Sequence, residues 1–305
     1  MAPSGAAATS PWAPSRRRAE TLRERHPFAK EVLTLYLALL DVWEEAREAA
    51  LEESPEAGTL AKWAAGRVLP RVVAATARAG PQPLAEAAHK FAGEGAASEA
   101  LVAWLEGAEV APVGRYLARA CTRGPLEVLD AGAACAEDPS PRGDRRCPRC
   151  GGPPQLSFRL DSADGLVSGR RRLACARCGT GWSYSGSACA SCGETTGSRR
   201  TVYAERREGP VVGRGPATGV AGAEAEAGAE AASAGAGDAA ARDGGPLFPH
   251  LRIESCERCK RYLIDVDLGR DARAVPEVDE LAALPLDLYA AERGLSKITP
   301  NLMGF

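Results

Sequence analysis

Eight of the ten cysteines in this 305-residue chain fall in four Cys-x-x-Cys pairs: Cys147/Cys150, Cys175/Cys178, Cys189/Cys192 and Cys256/Cys259. Two residues between thiolates let a tight turn aim both sulfurs at one cation, and two such knuckles face to face make a closed tetrahedral site. Gly151, Gly179 and Gly193 directly follow the first three pairs. Glycine accepts the backbone angles that other residues resist at such a turn. The chemistry on offer is therefore ligation of two metal ions, iron of rubredoxin type or zinc, and spacing does not separate the two. The commoner role of a closed four-thiolate site is to staple a fold too thin to bury a core; the functional alternatives are a redox-active iron or thiols that exchange.

Which pairs share an ion can be argued from the chain between them. Residues 151–174 hold an alternating run, Gln155 to Leu160, then a DSADG turn, then a return through Arg171 to Ala174. That hairpin brings the second knuckle back to the first. GTGWSY after Cys178 reads instead as a strand leaving the site. This favours Cys147, Cys150, Cys175 and Cys178 as one site, and Cys189, Cys192, Cys256 and Cys259 as the other. The ten residues between Cys178 and Cys189 could also close a small metal loop, so spacing alone leaves both pairings open. A weak internal repeat supports the first. RLACARCGTGW (172–182) and RIESCERCKRYL (252–263) both read as the second half of a ribbon.

The elements that must position these residues fall in two textures. Residues 16 to about 137 are rich in Ala, Leu, Glu and Arg, and Phe28, Val32, Leu35, Leu39, Trp43 and Ala46 recur at helical spacing. Five or six helices are expected, punctuated by Pro27, Pro70, GPQPL at 80–84 and Pro112. Past DPSPRGDRR the chain turns to Cys, Gly and short alternating runs. Leu251 to Ser255 and Arg261 to Leu268 read as strands, and Val278 to Arg293 as a closing helix with Gly294 as its cap. The fold class expected is α+β: an all-α bundle, two tandem four-cysteine ribbons with short antiparallel strands, and a carboxyl-terminal helix. The expected units are a disordered leader (1–20), a helical domain (21–140), a first ribbon (141–188), a second ribbon (189–275) and a closing helix and tail (276–305). Residues 209–245 form an Ala/Gly/Glu tract without an aromatic residue, expected to be a disordered insertion at a hairpin tip.

Composition excludes less than the motifs imply. The formal charge of -2 does not mark a polyanion-binding protein. Thirteen Arg against five acidic residues over 142–207 do raise a nucleic-acid reading, but Phe158, Trp182, Tyr184 and Tyr203 are too scattered for a base-stacking platform. The longest apolar run, Val32 to Trp43, is 12 residues, too short to span a bilayer. The amino terminus lacks the apolar stretch of a secretory signal. A cytoplasmic protein with reduced thiols is expected, which favours metal ligation over disulfides. His26, His89 and His250 stand alone and read as surface or capping residues; Cys121 and Cys135 read as buried small hydrophobes. Arg149, Arg177 and Arg258 each precede the second Cys of a knuckle, where a cation could offset thiolate charge. No catalytic constellation, dinucleotide fingerprint or phosphate loop is found in the sequence.

The order of the segments CPRCGGPPQLS, RRLACARCGTGW, ACASCGE, IESCERCKRYLIDVD and the tail DLYAAERGLSKITPNLMGF, behind a helical half, resembles the formate dehydrogenase accessory protein family (FdhE). The resemblance spans most of residues 22–305, and the leader and the 209–245 tract depart from it. It implies a cytoplasmic, non-enzymatic maturation chaperone with two rubredoxin-like metal sites. Such a chaperone binds the catalytic subunit of a molybdenum- or tungsten-containing formate dehydrogenase and is needed for its activity. The eight knuckle cysteines match the family's metal and redox positions, and no catalytic residue is carried over. The rival readings from the residues are a zinc-ribbon nucleic-acid-binding protein and a rubredoxin-like electron-transfer or thiol-exchange protein.

Overall fold

The structure, a computed structural model, describes residues 10–93, 95–129, 144–160, 170–205 and 246–304. The 209–245 tract, Cys135 and the DSADG turn lie outside the described residues.

The amino-terminal half folds as helices α1 (Ala13–Arg25), α2 (Lys30–Glu53), α3 (Leu60–Arg67), α4 (Leu69–Ala79), α5 (Gln82–Gly93), α6 (Ala97–Glu106), α7 (Pro112–Thr122) and the single turn α8 (Pro125–Val128). Pro70 and Pro112 each sit in the first turn of a helix, where a missing N–H costs nothing. The stripe Val32, Leu35, Leu39, Trp43 and Ala46 is buried, and Leu33, Tyr36 and Leu40 widen it over most of the circumference of α2. A helix apolar on so much of its surface lies at the centre of its bundle. Trp43 donates from Nε1 to the carbonyl of Ala120 at 2.9 Å. Gly124 closes the contact, since a Cβ there would lie 2.5 Å from the Trp43 carbonyl oxygen.

Three expectations are corrected. Residues 13–20, assigned to a disordered leader, belong to α1, because Ser15, Arg18, Ala19 and Leu22 make a buried stripe at helical spacing and Trp12 packs 6.2 Å from Trp43. With α1 and the one-turn α8 the count is eight helices among the described residues of this half rather than five or six. Phe28 leaves the α2 stripe: it lies in a 3-10 turn at Pro27–Ala29, before the helix begins, and is exposed.

The carboxyl-terminal half forms one sheet. Its strands are β1 (Pro154–Arg159), β2 (Arg171–Cys175), β3 (Gly181–Ser183), β4 (Arg200–Tyr203), β5 (Leu251–Cys256), β6 (Arg261–Asp267) and the short β7 (Ser296–Lys297). They run in the order β3-β2-β1-β6-β5-β4, with β7 also against β6. Each half of that order is an antiparallel meander, and the two meanders have the same strand-knuckle-strand course. The repeat seen in the sequence is therefore a repeat of structure. What joins them is a parallel pairing of β1 with β6, where Ser157 faces Asp265 and Phe158 faces Val266. Ser157 Oγ donates to Asp265 at 2.5 Å within this seam.

The expected closing helix is two: α9 (Pro276–Ala282) and α10 (Leu284–Glu292). Pro285 explains the break, since its ring cannot continue a helix. Gly294, with φ of 68°, ends α10 as expected of a left-handed cap.

One apolar cluster runs from α2 through Leu173 and Trp182 to Phe248 and Ile264, so the helices and the sheet share a core. Buried charge locks the two halves. Arg18 of α1 donates from Nε to Asp279 of α9 at 3.0 and 3.1 Å, and Nη2 reaches Asp271 at 2.9 Å. His250 Nε2 lies 2.7 Å from the same Asp279. His26 is also buried, its ring 4.8 Å from that of Phe248. Of the three histidines expected at the surface or as caps, His89 is exposed and His26 is the C-cap of α1, so His250, buried, is the one that departs from the expectation. The correction has a simple cause: His250 reaches Asp279 of α9, a contact between residues far apart in sequence. Asp279→Ala would leave Arg18 buried with its Nε unpaired and Asp271 as its one remaining counter-charge among the described residues. A loss of about 3–5 kcal/mol in chemical denaturation is expected, against near-neutral values for removing an exposed pair such as Arg67–Glu53.

Candidate metal centres

The four knuckles fold alike. In the first, the N–H of Gly151 donates to the Cys147 carbonyl at 2.8 Å and that of Cys147 to the Gly152 carbonyl at 3.0 Å. The second and third repeat this with Gly179 and Cys175, then Gly193 and Cys189. All three trailing glycines have φ between 69° and 76°, as the sequence predicts. Lys260 holds the same place in the fourth knuckle with φ of 53°, donating to Cys256 at 2.9 Å. The geometry is thus demanded by the turn and not by glycine, which only lowers its cost by about 1 kcal/mol.

The sulfurs gather in two groups, Cys147, Cys150, Cys175 and Cys178 in one and Cys189, Cys192, Cys256 and Cys259 in the other, each within 4.8 Å of one another. The sequential pairing is the one found, and Cys178 and Cys189 belong to different groups. In the first group Cys147 lies 3.6 Å from Cys178 and Cys150 lies 3.4 Å from Cys175. In the second, Cys189–Cys259 and Cys192–Cys256 are both 3.8 Å apart. A sulfur tetrahedron about an ion at roughly 2.3 Å has edges of about 3.8 Å, whereas a disulfide is about 2.0 Å. Each group could therefore hold a metal ion, and the fit is good on spacing and on donor type. It does not discriminate iron from zinc.

The electrostatics point the same way. In the first group the neighbouring thiols hold Cys178 far below the ordinary thiol range, while hydrogen bonding to their neighbours pushes Cys147 and Cys175 far above it. A divalent ion stabilises the thiolate form of every sulfur around it. In the second group burial pushes Cys259 up to about 12, while backbone N–H of Glu194 draws Cys192 down against its own burial. The Glu194 carboxylate accepts the N–H of Thr196 at 2.9 Å, which holds it down near 2.

The two groups differ in setting, which spacing does not reveal. The first is wholly buried against the helices; in the second, Cys192 and Cys259 are half-buried. Gly152 lies so close that a Cβ would approach Cys175 Sγ to 2.7 Å, and Gly179 meets Arg123 of α7's end in the same way. The knuckle arginines serve this docking. Arg149 donates to the carbonyl of Leu129 at 2.9 Å. Arg177 donates to the Cys150 carbonyl at 3.1 Å and lies 5.4 Å over the Trp104 ring of α6. Arg258 is exposed and pairs with Glu194 at 3.6 Å. Arg123, over the Cys178 carbonyl, and Trp182, donating to Asp144 at 2.8 Å, are contributors that the sequence reading passed over because their partners are distant in the chain. Cys121 is buried, as expected, and burial raises its thiol well above its ordinary range.

A bundle of helices backing two four-cysteine ribbons fused in one sheet is the class of protein these features define. Residues 241–303 match the family described as FdhE, C-terminal domain. A protein FdhE homolog of Aquifex aeolicus is 26% identical over 159 residues, 52% of this chain and 41% of that relative. One of Pseudomonas putida is 28% identical over 158 residues, 52% of this chain and 38% of the relative. The matched part thus spans less than half the length of these curated relatives. The crystal structure of the FdhE protein from Pseudomonas aeruginosa superposes with a TM-score of 0.60 at 20% identity, covering 96% of this chain and 94% of that one. The fold is shared throughout, and the findings support the FdhE family, as the order of the knuckles implies. No helix among the described residues is long and apolar enough to cross a membrane.

The unequal burial has a measurable consequence. Metal-loaded protein mixed with a coloured chelator should release its ions in two phases, the faster from the half-buried group. Cys192→Ser should abolish the fast phase and leave the slow one; a single phase would contradict the asymmetry.

Proposed function

We infer that this chain is an accessory protein of formate dehydrogenase maturation: a cytoplasmic chaperone that binds the catalytic subunit and is needed for its assembly or activity, without turnover of its own. The eight cysteines hold two metal ions, Cys147, Cys150, Cys175 and Cys178 one, and Cys189, Cys192, Cys256 and Cys259 the other. The observation that carries this reading is the pair of four-sulfur groups in the knuckle order of the FdhE family, behind a helical half of the same fold. The unequal burial of the groups suits a division of labour. The first cages the junction with the helices, and the second presents Cys192 and Cys259 to a partner.

A non-enzymatic role agrees with the fate of the buried ionisable groups. Arg18 with Asp279, and Lys297 with Glu280 and Asp287, close on one another within the core and are spent on the fold. The nucleic-acid alternative loses its main support for a similar reason. Arg159, Arg171 and Arg200 converge on Glu254, and Arg177 on the Cys150 carbonyl, so these side chains do not line up along an extended basic track of the kind a nucleic-acid strand needs.

Anaerobic purification from a host that makes formate dehydrogenase should bring down the catalytic subunit with this protein. A strain lacking the protein should lose formate dehydrogenase activity, and full activity in that strain defeats the proposal. Metal analysis and absorbance of the same preparation decide the ion: charge-transfer bands mean iron, and a colourless protein with two zinc ions excludes the electron-transfer version.

A further inference from the structure

A cavity of about 500 Å³ opens at the end of the first meander away from its knuckles, with Arg159, Arg170, Arg171, Ser183, Ser185 and Asp144 on its wall. Its position follows from the register: Arg159 pairs with Arg171 across β1 and β2, and Arg172 with Ser183 across β2 and β3. It adjoins the second sulfur group as well. Arg171 donates to the carbonyl of Ala188 at 3.0 Å and Tyr184 to that of Cys189 at 2.9 Å.

The charge around this cavity does not balance. Behind its wall, Glu254 receives Arg159 at 2.8 Å, Arg171 at 2.7 Å and Arg200 at 3.4 Å. Asp265 receives Arg159 at 3.0 Å and Arg252 at 2.7 Å. With Arg170 and Asp144 added, five guanidiniums meet three carboxylates among the described residues. Glu254 and Asp265 are buried and already shared, and Asp144 is exposed. The Arg171 side chain is only 1% exposed, and its Nε has no hydrogen-bond partner; Arg200 Nε is likewise unpartnered. Burial lowers the affinity of Arg171 for its proton, against the opposing pull of Glu254 and Asp265, with Arg200 and Arg159 adding to the lowering. Arg171 Nη1 donates to the carbonyls of Ser185 and Ala188, both at 3.0 Å, and Nη2 meets Glu254, so its spare donor is Nε. A buried cation with an unused donor, in a set where cations outnumber carboxylates among the described residues, is costly, and an anion relieves it.

We propose that this cavity is a binding site for a phosphate-bearing small anion, held by Arg170 and Arg171 with the Ser183 and Ser185 hydroxyls beside them. Guanidinium forks match the oxygens of phosphate in pairs, which a compact halide cannot use. The volume lies within the range of small-molecule pockets, so the phosphate is a free ion or a group on a small ester. The site depends neither on the identity of the metals nor on the partner proposed above.

Calorimetric titration of the full chain, metals in place, with inorganic phosphate and in a second arm with glycerol 3-phosphate tests this, at ionic strength held constant with sodium chloride. Saturable binding in either arm is expected, and the arm that binds tighter tells free ion from ester. Arg170→Ala changes an exposed wall residue and should weaken binding about tenfold, the loss of one charge-assisted contact. Arg146→Ala removes an equally exposed charge that does not line the cavity and should leave binding unchanged. No binding above the chloride background, or equal losses in the two variants, overturns the proposal.

Discussion

The parallel seam between β1 and β6 is the constraint on which the sheet depends. Parallel neighbours cannot be joined by a tight turn, so the chain must travel from Arg159 through three knuckles and four further strands before β6 can lie beside β1. At the seam sits Asp265, fully buried, accepting from Ser157, Arg159 and Arg252. Two of those donors come from β1 and one from β5, so a single carboxylate ties both meanders. Its ionised form is favoured by these cations in spite of burial. Removing the seam would leave two three-stranded ribbons, each with one more open edge and little apolar area of its own.

Fusion also explains why the two sulfur groups, built from the same turn, live in different surroundings. The first meander is pressed on the bundle by Arg149, Arg177 and Arg123, which reach α8, α6 and the knuckle itself. The second meander meets α10 as well, through Tyr262 and Lys297 on Asp287 and through Arg293 over Tyr203. Its knuckles are left half-exposed as a result. Identical local chemistry therefore supplies a buried clasp at one end and a half-buried group of thiols at the other.

Charge is spent unevenly in this architecture. Between α1 and α9, Arg18, Asp279, Asp271 and His250 close into a compact set, and beneath β7, Lys297 lies between Glu280 and Asp287. Around Glu254, guanidiniums outnumber carboxylates among the described residues, and they lie beside a cavity.

The sequence by itself determined what depends on neighbours in the chain. The knuckles with their trailing glycines, the hairpin that returns Cys175 to Cys150, the α2 stripe, the starts at Pro70 and Pro112 and the repeat of Cys-x-Arg-Cys all rest on short-range spacing, and all are found. It misjudged α1 because a stripe of Ser15, Arg18, Ala19 and Leu22 is weakly apolar until Arg18 finds Asp279, 261 residues away. It took His250 for a surface or capping residue for the same reason, and it overlooked Pro285 inside an otherwise helical run. Only the tertiary structure decided the parallel seam, the unequal burial of the two sulfur groups, the docking role of the knuckle arginines and the cavity of unbalanced guanidiniums. Each is a meeting of groups far apart in the chain. No local periodicity encodes where a long arginine will find its carboxylate.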